Sequence, residues 1–105
     1  MSPRWVAVAQ VQEVHAQSGL VVEAEGEFIA IYRVDDSFYA VEDRCSHDGG
    51  SLEGGHTIGD QVVCPRHGAR FCLRTGAATK APAYAPITVY PIKREQDQLW
   101  VDLNR

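Results

Sequence analysis

The sequence is short of the features that mark membrane, secreted and nucleic-acid-binding proteins. Its 105 residues contain no apolar run near the roughly 18–20 residues that a membrane-spanning helix needs. Three cysteines are an odd number, which argues against a secreted disulfide framework. No basic run appears and the formal net charge is −4, so neither nucleic acid nor an anionic membrane surface is an expected partner.

The amino terminus also lacks the pattern of a targeting segment. The opening residues MSPRWV do not combine a charged start with a long apolar stretch, so we expect no signal peptide. A cytoplasmic location is therefore expected. A mildly acidic chain of this kind suits a partner protein with a basic docking patch.

Helical periodicity is equally scarce, and short apolar runs separated by turn residues indicate an all-β protein. A chain of 105 residues is expected to form one domain, residues 1–105. In residues 27–34 the alternation places Ala30 and Tyr32 on one face and Ile29 and Ile31 on the other. Strands are predicted over residues 5–9, 20–24, 27–34, 38–41, 61–63, 69–73, 87–93 and 99–103.

Three segments without apolar periodicity are predicted to be loops, at residues 42–55, 64–68 and 80–86. The first is long and rich in Gly, Asp, Ser and His, and long loops in compact domains are usually functional or disordered. The third contains two prolines and is therefore expected to be stiff and not a central strand.

The first two loops each carry one cysteine and one histidine, a set of residues suited to metal binding. Cys45 and His47 form a C-x-H pair, and Cys64 and His67 form a C-x-x-H pair, with sixteen residues between His47 and Cys64. A tetrahedral zinc site is one interpretation of two cysteines and two histidines. Zinc fingers usually separate the cysteines and histidines into two boxes, whereas both boxes are mixed here, which disfavours zinc.

The motifs CSHDGGSL (45–52) and CPRHGARF (64–71) resemble those of the Rieske family, and the likeness extends over nearly the whole chain. The resemblance implies one [2Fe–2S] cluster per chain, with Cys45 and Cys64 on one iron and His47 and His67 on the other. It also implies an all-β Rieske fold of antiparallel sheets. Its cluster-binding subdomain would cover roughly residues 43–80, and the proline loop would cover one side of the cluster.

The resemblance also bears on the reduction potential. Two ferric ions, two sulfides and two thiolates sum to about zero charge with neutral imidazoles, so an added electron meets less repulsion than in an all-cysteine cluster. Respiratory Rieske proteins have a disulfide where this chain has Gly50 and Arg66, and hydroxyl side chains where it has Ala69 and Phe71. Their absence predicts the low end of the Rieske range, near about −150 mV.

In these respects the chain resembles the soluble ferredoxins of bacterial aromatic-ring dioxygenase systems. The resemblance implies a monomeric electron carrier that accepts electrons from an NAD(P)H-dependent flavin reductase and passes them to a terminal oxygenase. The chain would then be a component and not itself an enzyme. The small Rieske-like subunit of a nitrite reductase and an accessory iron–sulfur protein are the alternatives. The third cysteine, Cys72, has no role in this interpretation.

Overall fold

The computed structural model describes residues 2–104 and confirms an all-β chain. Its one short helix in that range is a 3₁₀ turn, Val11–Glu13. In chain order the strands are Trp5–Gln10 (β1), Leu20–Ala24 (β2), Glu27–Val34 (β3), Ser37–Glu42 (β4), Thr57–Ile58 (β5), Gln61–Val63 (β6), Arg70–Cys72 (β7), Ala78–Lys80 (β8), Val89–Tyr90 (β9), Ile92–Glu95 (β10) and Gln98–Asp102 (β11).

These strands form three antiparallel sheets. The first has the order β1-β11-β10, the second β2-β3-β4-β9, and the third β5-β6-β7-β8. The predicted hairpin is confirmed, since β3 pairs with β4 from Ile29 opposite Glu42 to Val34 opposite Ser37. The short strands β5 and β8 at the two edges of the third sheet were not predicted, because two or three residues carry too little pattern.

Strand β3 lies between two hydrophobic cores. Ala30 and Tyr32 face the core that also contains the cysteines of the two loops. Ile29 and Ile31 face the other core, which includes residues of β1 and β11. The predicted alternation is therefore correct, and both faces of the strand are buried.

The prediction of a single strand over residues 87–93 is wrong. The segment divides at Pro91 into β9, which pairs with β4, and β10, which pairs with β11. Proline has no backbone N–H to donate to a ladder and is poorly tolerated inside a central strand. The chain passes there from the second sheet to the first, while the Pro91 carbonyl accepts a hydrogen bond from the Asp102 N–H at 3.0 Å.

The third sheet positions the candidate metal-binding loops. One predicted loop, residues 42–55, precedes β5, and the other lies between β6 and β7. All four strands of this sheet fall inside the predicted subdomain, residues 43–80. That boundary, like the single domain over residues 1–105, stays a prediction.

Candidate metal centre

The first loop turns sharply after Cys45. The Cys45 N–H donates to the Gly50 carbonyl at 2.8 Å, and the Gly49 N–H donates back to the Cys45 carbonyl at 2.7 Å. Gly49 has a φ of +75°, in the left-handed region that glycine adopts without steric cost. The turn directs successive backbone N–H groups towards the Cys45 sulfur, which accepts hydrogen bonds from those of His47 and Asp48.

The second loop repeats this turn between β6 and β7. The Cys64 N–H donates to the Ala69 carbonyl at 2.7 Å, and the Gly68 N–H donates to the Cys64 carbonyl at 3.1 Å. Gly68 has a φ of +76°. In both loops a cysteine therefore bonds to the residue five positions later, and a left-handed glycine lies four positions after it.

The two turns place their cysteines together in the interior. Cys45 is 0% exposed and Cys64 1% exposed, and both belong to the same hydrophobic core. Their sulfur atoms, with a carboxylate oxygen of Asp48, all lie within 4.8 Å of one another. Burial raises the pKa of the Cys45 thiol; the backbone N–H donors oppose this shift, and the neighbouring Cys64 adds to it.

The two histidines lie on the outside of the same site. Their ring centroids are 5.4 Å apart and the ring planes are nearly perpendicular, at 82°. His47 is exposed, and the His67 side chain is 59% exposed. The structure thus places the two thiols together in the interior and the two imidazoles together at the surface. Asp48, whose carboxylate lies near both sulfurs, has its Oδ2 3.9 Å from His67 Nδ1. That these four residues bind a metal stays a prediction.

An ion pair that sequence reasoning missed joins the two loops. Arg66 Nε donates to Asp48 Oδ2 at 2.6 Å and Arg66 Nη2 to Asp48 Oδ1 at 3.0 Å, while Nη1 donates to the Ser51 carbonyl at 2.7 Å. Such a bidentate pair fixes geometry as well as charge. The Arg66 guanidinium holds the pKa of the Asp48 carboxyl well below its usual range. We call this pair the Asp48–Arg66 clamp.

Gly50 allows the clamp to form. A Cβ atom at this position would lie 2.7 Å from Arg66 Cζ, so the guanidinium packs directly on the glycine backbone. The resemblance described above implies that Gly50 and Arg66 are the positions nearest to the bridging cysteines of respiratory Rieske proteins. This correspondence was the one signal in the sequence that the two positions meet, although it did not indicate Asp48 as the partner.

The first loop also uses Asp43 internally. Asp43 Oδ1 accepts the Leu52 N–H at 2.8 Å, and Oδ2 accepts the Ser51 hydroxyl at 2.7 Å. Asp43 and Asp48 are therefore both engaged in holding the first loop in shape, which leaves little of their charge for a partner.

Cys72 occupies a third turn with the same backbone. Its N–H donates to the Ala77 carbonyl at 2.8 Å, and the Gly76 N–H donates to the Cys72 carbonyl at 2.7 Å, with a Gly76 φ of +81°. Thr75 stands where the second loop has His67. The hydroxyl of Thr75, followed by backbone N–H donors, lowers the pKa of the Cys72 thiol.

The proline loop adjoins the first loop, as the resemblance implies. The Ser46 hydroxyl donates to the Ala85 carbonyl at 2.5 Å. Ala83 and Ile87, on either side, are buried in the core that contains Cys45 and Cys64. The segment therefore packs beside the candidate site at both of its ends.

This donor set fits a mixed-ligand [2Fe–2S] cluster. Two soft thiolate ligands close together in a buried position and two imidazoles together at the surface are the donors that such a cluster takes. N–H groups directed at a thiolate sulfur also favour the negative charge of a metal-bound thiolate.

Comparison with known proteins agrees with this donor set. The Rieske [2Fe–2S] domain model matches residues 4–91. The biphenyl dioxygenase ferredoxin subunit of Pseudomonas sp. (strain KKS102) is 41% identical over 96 residues, covering 90% of this chain and 88% of that protein. The 3-phenylpropionate/cinnamic acid dioxygenase ferredoxin subunit of Escherichia coli (strain K12) is 45% identical over 76 residues, covering 71% of this chain and 72% of that protein.

A solved structure shows the same architecture. In the complex of reduced oxygenase and oxidized ferredoxin in carbazole 1,9a-dioxygenase, one chain is 31% identical and aligns with a TM-score of 0.87, covering 96% of this chain and 94% of that chain. Within residues 2–104, the helical content is too short and too polar to supply a membrane-crossing helix.

Proposed function

This chain belongs to the Rieske [2Fe–2S] family, and on that premise we propose that it is a soluble, cytoplasmic ferredoxin. It carries single electrons from an NAD(P)H-dependent flavin reductase to a terminal ring-hydroxylating oxygenase. Its relatives that are named dioxygenase ferredoxin subunits, at 41% and 45% identity, support this function over a nitrite reductase subunit. The chain is an electron-transfer component and not itself a catalyst.

The observation that carries the proposal is that two of the four donors, the thiols, are buried and the other two, the imidazoles, are exposed. In one [2Fe–2S] cluster, Cys45 and Cys64 would hold one iron, and His47 and His67 would hold the other. When bound, such a cluster accepts and releases one electron at a time. The two imidazoles, which lie together at the surface, give a docked partner a short path to the metal centre.

The rest of the chain holds these donors in place. The first turn directs backbone N–H groups at the Cys45 sulfur, and the second loop repeats the backbone hydrogen bonds of that turn. The Asp48–Arg66 clamp joins one loop to the other. We assign residues 1–105 to a single domain with its cluster-binding part at roughly 43–80. The molecule acts as a monomer that binds neither nucleic acid nor membranes, and a formal net charge of −4 supports this assignment.

An electron paramagnetic resonance spectrum of the anaerobically purified protein tests this function. After reduction with dithionite, we expect a rhombic signal of low average g, typical of mixed histidine–cysteine ligation, which is absent before reduction. A potential near about −150 mV is expected alongside it. A colourless, silent sample containing zinc would instead contradict the electron carrier and support the zinc site.

A further inference from the structure

Tyr84 stands out beside the candidate metal centre. Its side chain is 90% exposed, which makes it the most exposed of the large hydrophobic side chains within residues 2–104. A single exposed aromatic residue is unremarkable in itself. Its position and its support are what give this one significance.

The backbone that carries Tyr84 is anchored on both sides. The preceding residue, Ala83, is buried in the core, and the carbonyl of the following residue, Ala85, accepts the Ser46 hydroxyl. Slightly further on, Ile87 is buried and its N–H donates to the Gly76 carbonyl at 2.9 Å. An aromatic ring on a fixed support loses little conformational entropy when a partner covers it.

The loop that carries Tyr84 is joined to the first ligand loop next to His47. Ser46, which bonds to the Tyr84 loop, directly precedes His47, and the rings of His47 and His67 are 5.4 Å apart. Asp48 and Arg66, which adjoin the two histidines in the sequence, pair with each other in the Asp48–Arg66 clamp. We call the exposed residues His47, Pro65, His67, Tyr84 and Pro86 the histidine face.

We propose that Tyr84 anchors the chain on the terminal oxygenase, by inserting its ring into an uncharged, apolar recess of that protein. This inference rests on the proposed function. Electron transfer requires the edges of His47 and His67 to approach the partner closely, so an exposed ring on the loop that is bonded to the residue before His47 is covered in the same contact. The structural likeness to the ferredoxin–oxygenase complex of carbazole 1,9a-dioxygenase favours the oxygenase as the occupant over the reductase.

The chain offers a matched control in Phe28. Phe28 is also an exposed aromatic residue, at 58%, but it lies on β3 of the second sheet. Tyr84→Ala and Phe28→Ala therefore remove exposed rings from two places, the proline loop bonded to the residue before His47 and a strand of the second sheet. Tyr84→Phe keeps the ring and removes only the hydroxyl.

The experiment uses the cluster-loaded protein and the oxygenase component of biphenyl dioxygenase as the probe. Calorimetric titration gives Kd for the two proteins, and oxygenase turnover at varied ferredoxin concentration, with chemical reduction in place of the reductase, gives KM and kcat. For Tyr84→Ala we expect Kd and KM to rise by about tenfold or more, as for an interface hot spot, with kcat near wild type at saturation. Phe28→Ala and Tyr84→Phe should stay within about twofold of wild type.

Three results would overturn the anchor. One is an unchanged Kd for Tyr84→Ala, and another is an equal loss for Phe28→Ala. The third is a loss confined to reduction of the ferredoxin by a flavin reductase, which would place Tyr84 at the other partner. If wild type and Tyr84→Ala reduce the oxygenase equally well, only the anchor is contradicted. A wild-type protein that does not reduce it contradicts the proposed function itself.

Discussion

The loop after Cys64 and the turn after Cys72 have the same backbone and different chemistry. In each, the cysteine bonds to the residue five positions later and is followed at the fourth position by a left-handed glycine. In each, an arginine lies two positions after the cysteine. The second loop has a histidine at the third position, and the Cys72 turn has a threonine.

The difference shows that one such turn is not sufficient to make a metal-ligand site. The turn makes the same backbone hydrogen bonds in either setting, but Cys64 is buried close to a second thiol, whereas Cys72 is partly exposed. The arginines follow the same division. Arg66 reaches across to the other ligand loop, while Arg74 pairs with Asp60 near its own sheet at 3.0 Å. A ligand site therefore requires two such turns that face each other.

The strongest test of this comparison replaces each cysteine in turn. Cys64→Ser should abolish the visible and paramagnetic signals of the cluster, because a neutral hydroxyl is a poor substitute for a thiolate ligand. Cys72→Ser should retain the full cluster content. Iron and sulfide analysis of both purified variants measures the difference, and equal losses would mean that Cys72 contributes to the site.

A second test replaces the histidine of the second loop with a cysteine. His67→Cys adds a thiolate and therefore negative charge, so the potential should fall towards the value of all-cysteine plant-type clusters, about −400 mV. The matched variant Thr75→Cys changes the same position of the Cys72 turn and should leave the potential where it is. Protein-film voltammetry compares the two; an intact cluster in His67→Cys with an unchanged potential contradicts the charge argument.

A third pair concerns the glycines of the two turns. A Cβ at Gly68 meets nothing within 4 Å, so Gly68→Ala incurs only the left-handed backbone cost, about 1 kcal/mol. A Cβ at Gly76 would lie 2.0 Å from the Ile87 carbonyl oxygen. Gly76→Ala should therefore lower the free energy of unfolding by about 3 kcal/mol or more, through backbone cost and overpacking together.

Urea denaturation of the two glycine variants against wild type measures these losses of stability. Similar losses of stability for Gly68→Ala and Gly76→Ala would mean that the backbone at Ile87 moves away from the added methyl group at little cost. That result would also weaken the view of this loop as a fixed support.

The smallest expected effect concerns the arginines. Arg66→Gln removes the bidentate contact between the ligand loops and should speed the loss of the cluster to an iron chelator severalfold, while the circular dichroism of the sheets stays unchanged. Arg74→Gln breaks an exposed pair within one sheet and should have little effect. The rate is followed as bleaching of the visible absorption of the cluster, at about 0.01 M salt to limit screening. Equal rates for Arg66→Gln and wild type would show that the clamp does not retain the cluster.

Much of the candidate metal site was predictable because the types and spacing of residues in a sequence indicate which of them can bind a metal. Cys45, His47, Cys64 and His67 were identified from the sequence as candidate ligands, and the structure places the two sulfurs close together and the two histidine rings close together. The clamp was not predicted, because Asp48 and Arg66 are eighteen residues apart and neither carries a local signal for the other.

The fold was predictable where a strand has a clear period and less so elsewhere. The period-two pattern of β3 identified its two faces, but a local pattern does not reveal that both faces are covered by separate cores. Residues 87–93 were predicted to be one strand because the segment is apolar enough for one. The chain passes from one sheet to another at Pro91, and the proline is the only local signal of that change. No role was predicted for Cys72, because its turn shares the arginine and the glycine of the second loop but has Thr75 where that loop has His67.

The position of β3 between two cores has a consequence for cooperativity. One face of β3 packs in the core around Cys45 and Cys64, and the other face packs in the second core. Neither core can therefore unfold while the other stays intact. Folding of the two regions is therefore thermodynamically linked. Any ligand that binds only the native loops raises the free energy of unfolding of the whole chain, including strands far from the metal centre.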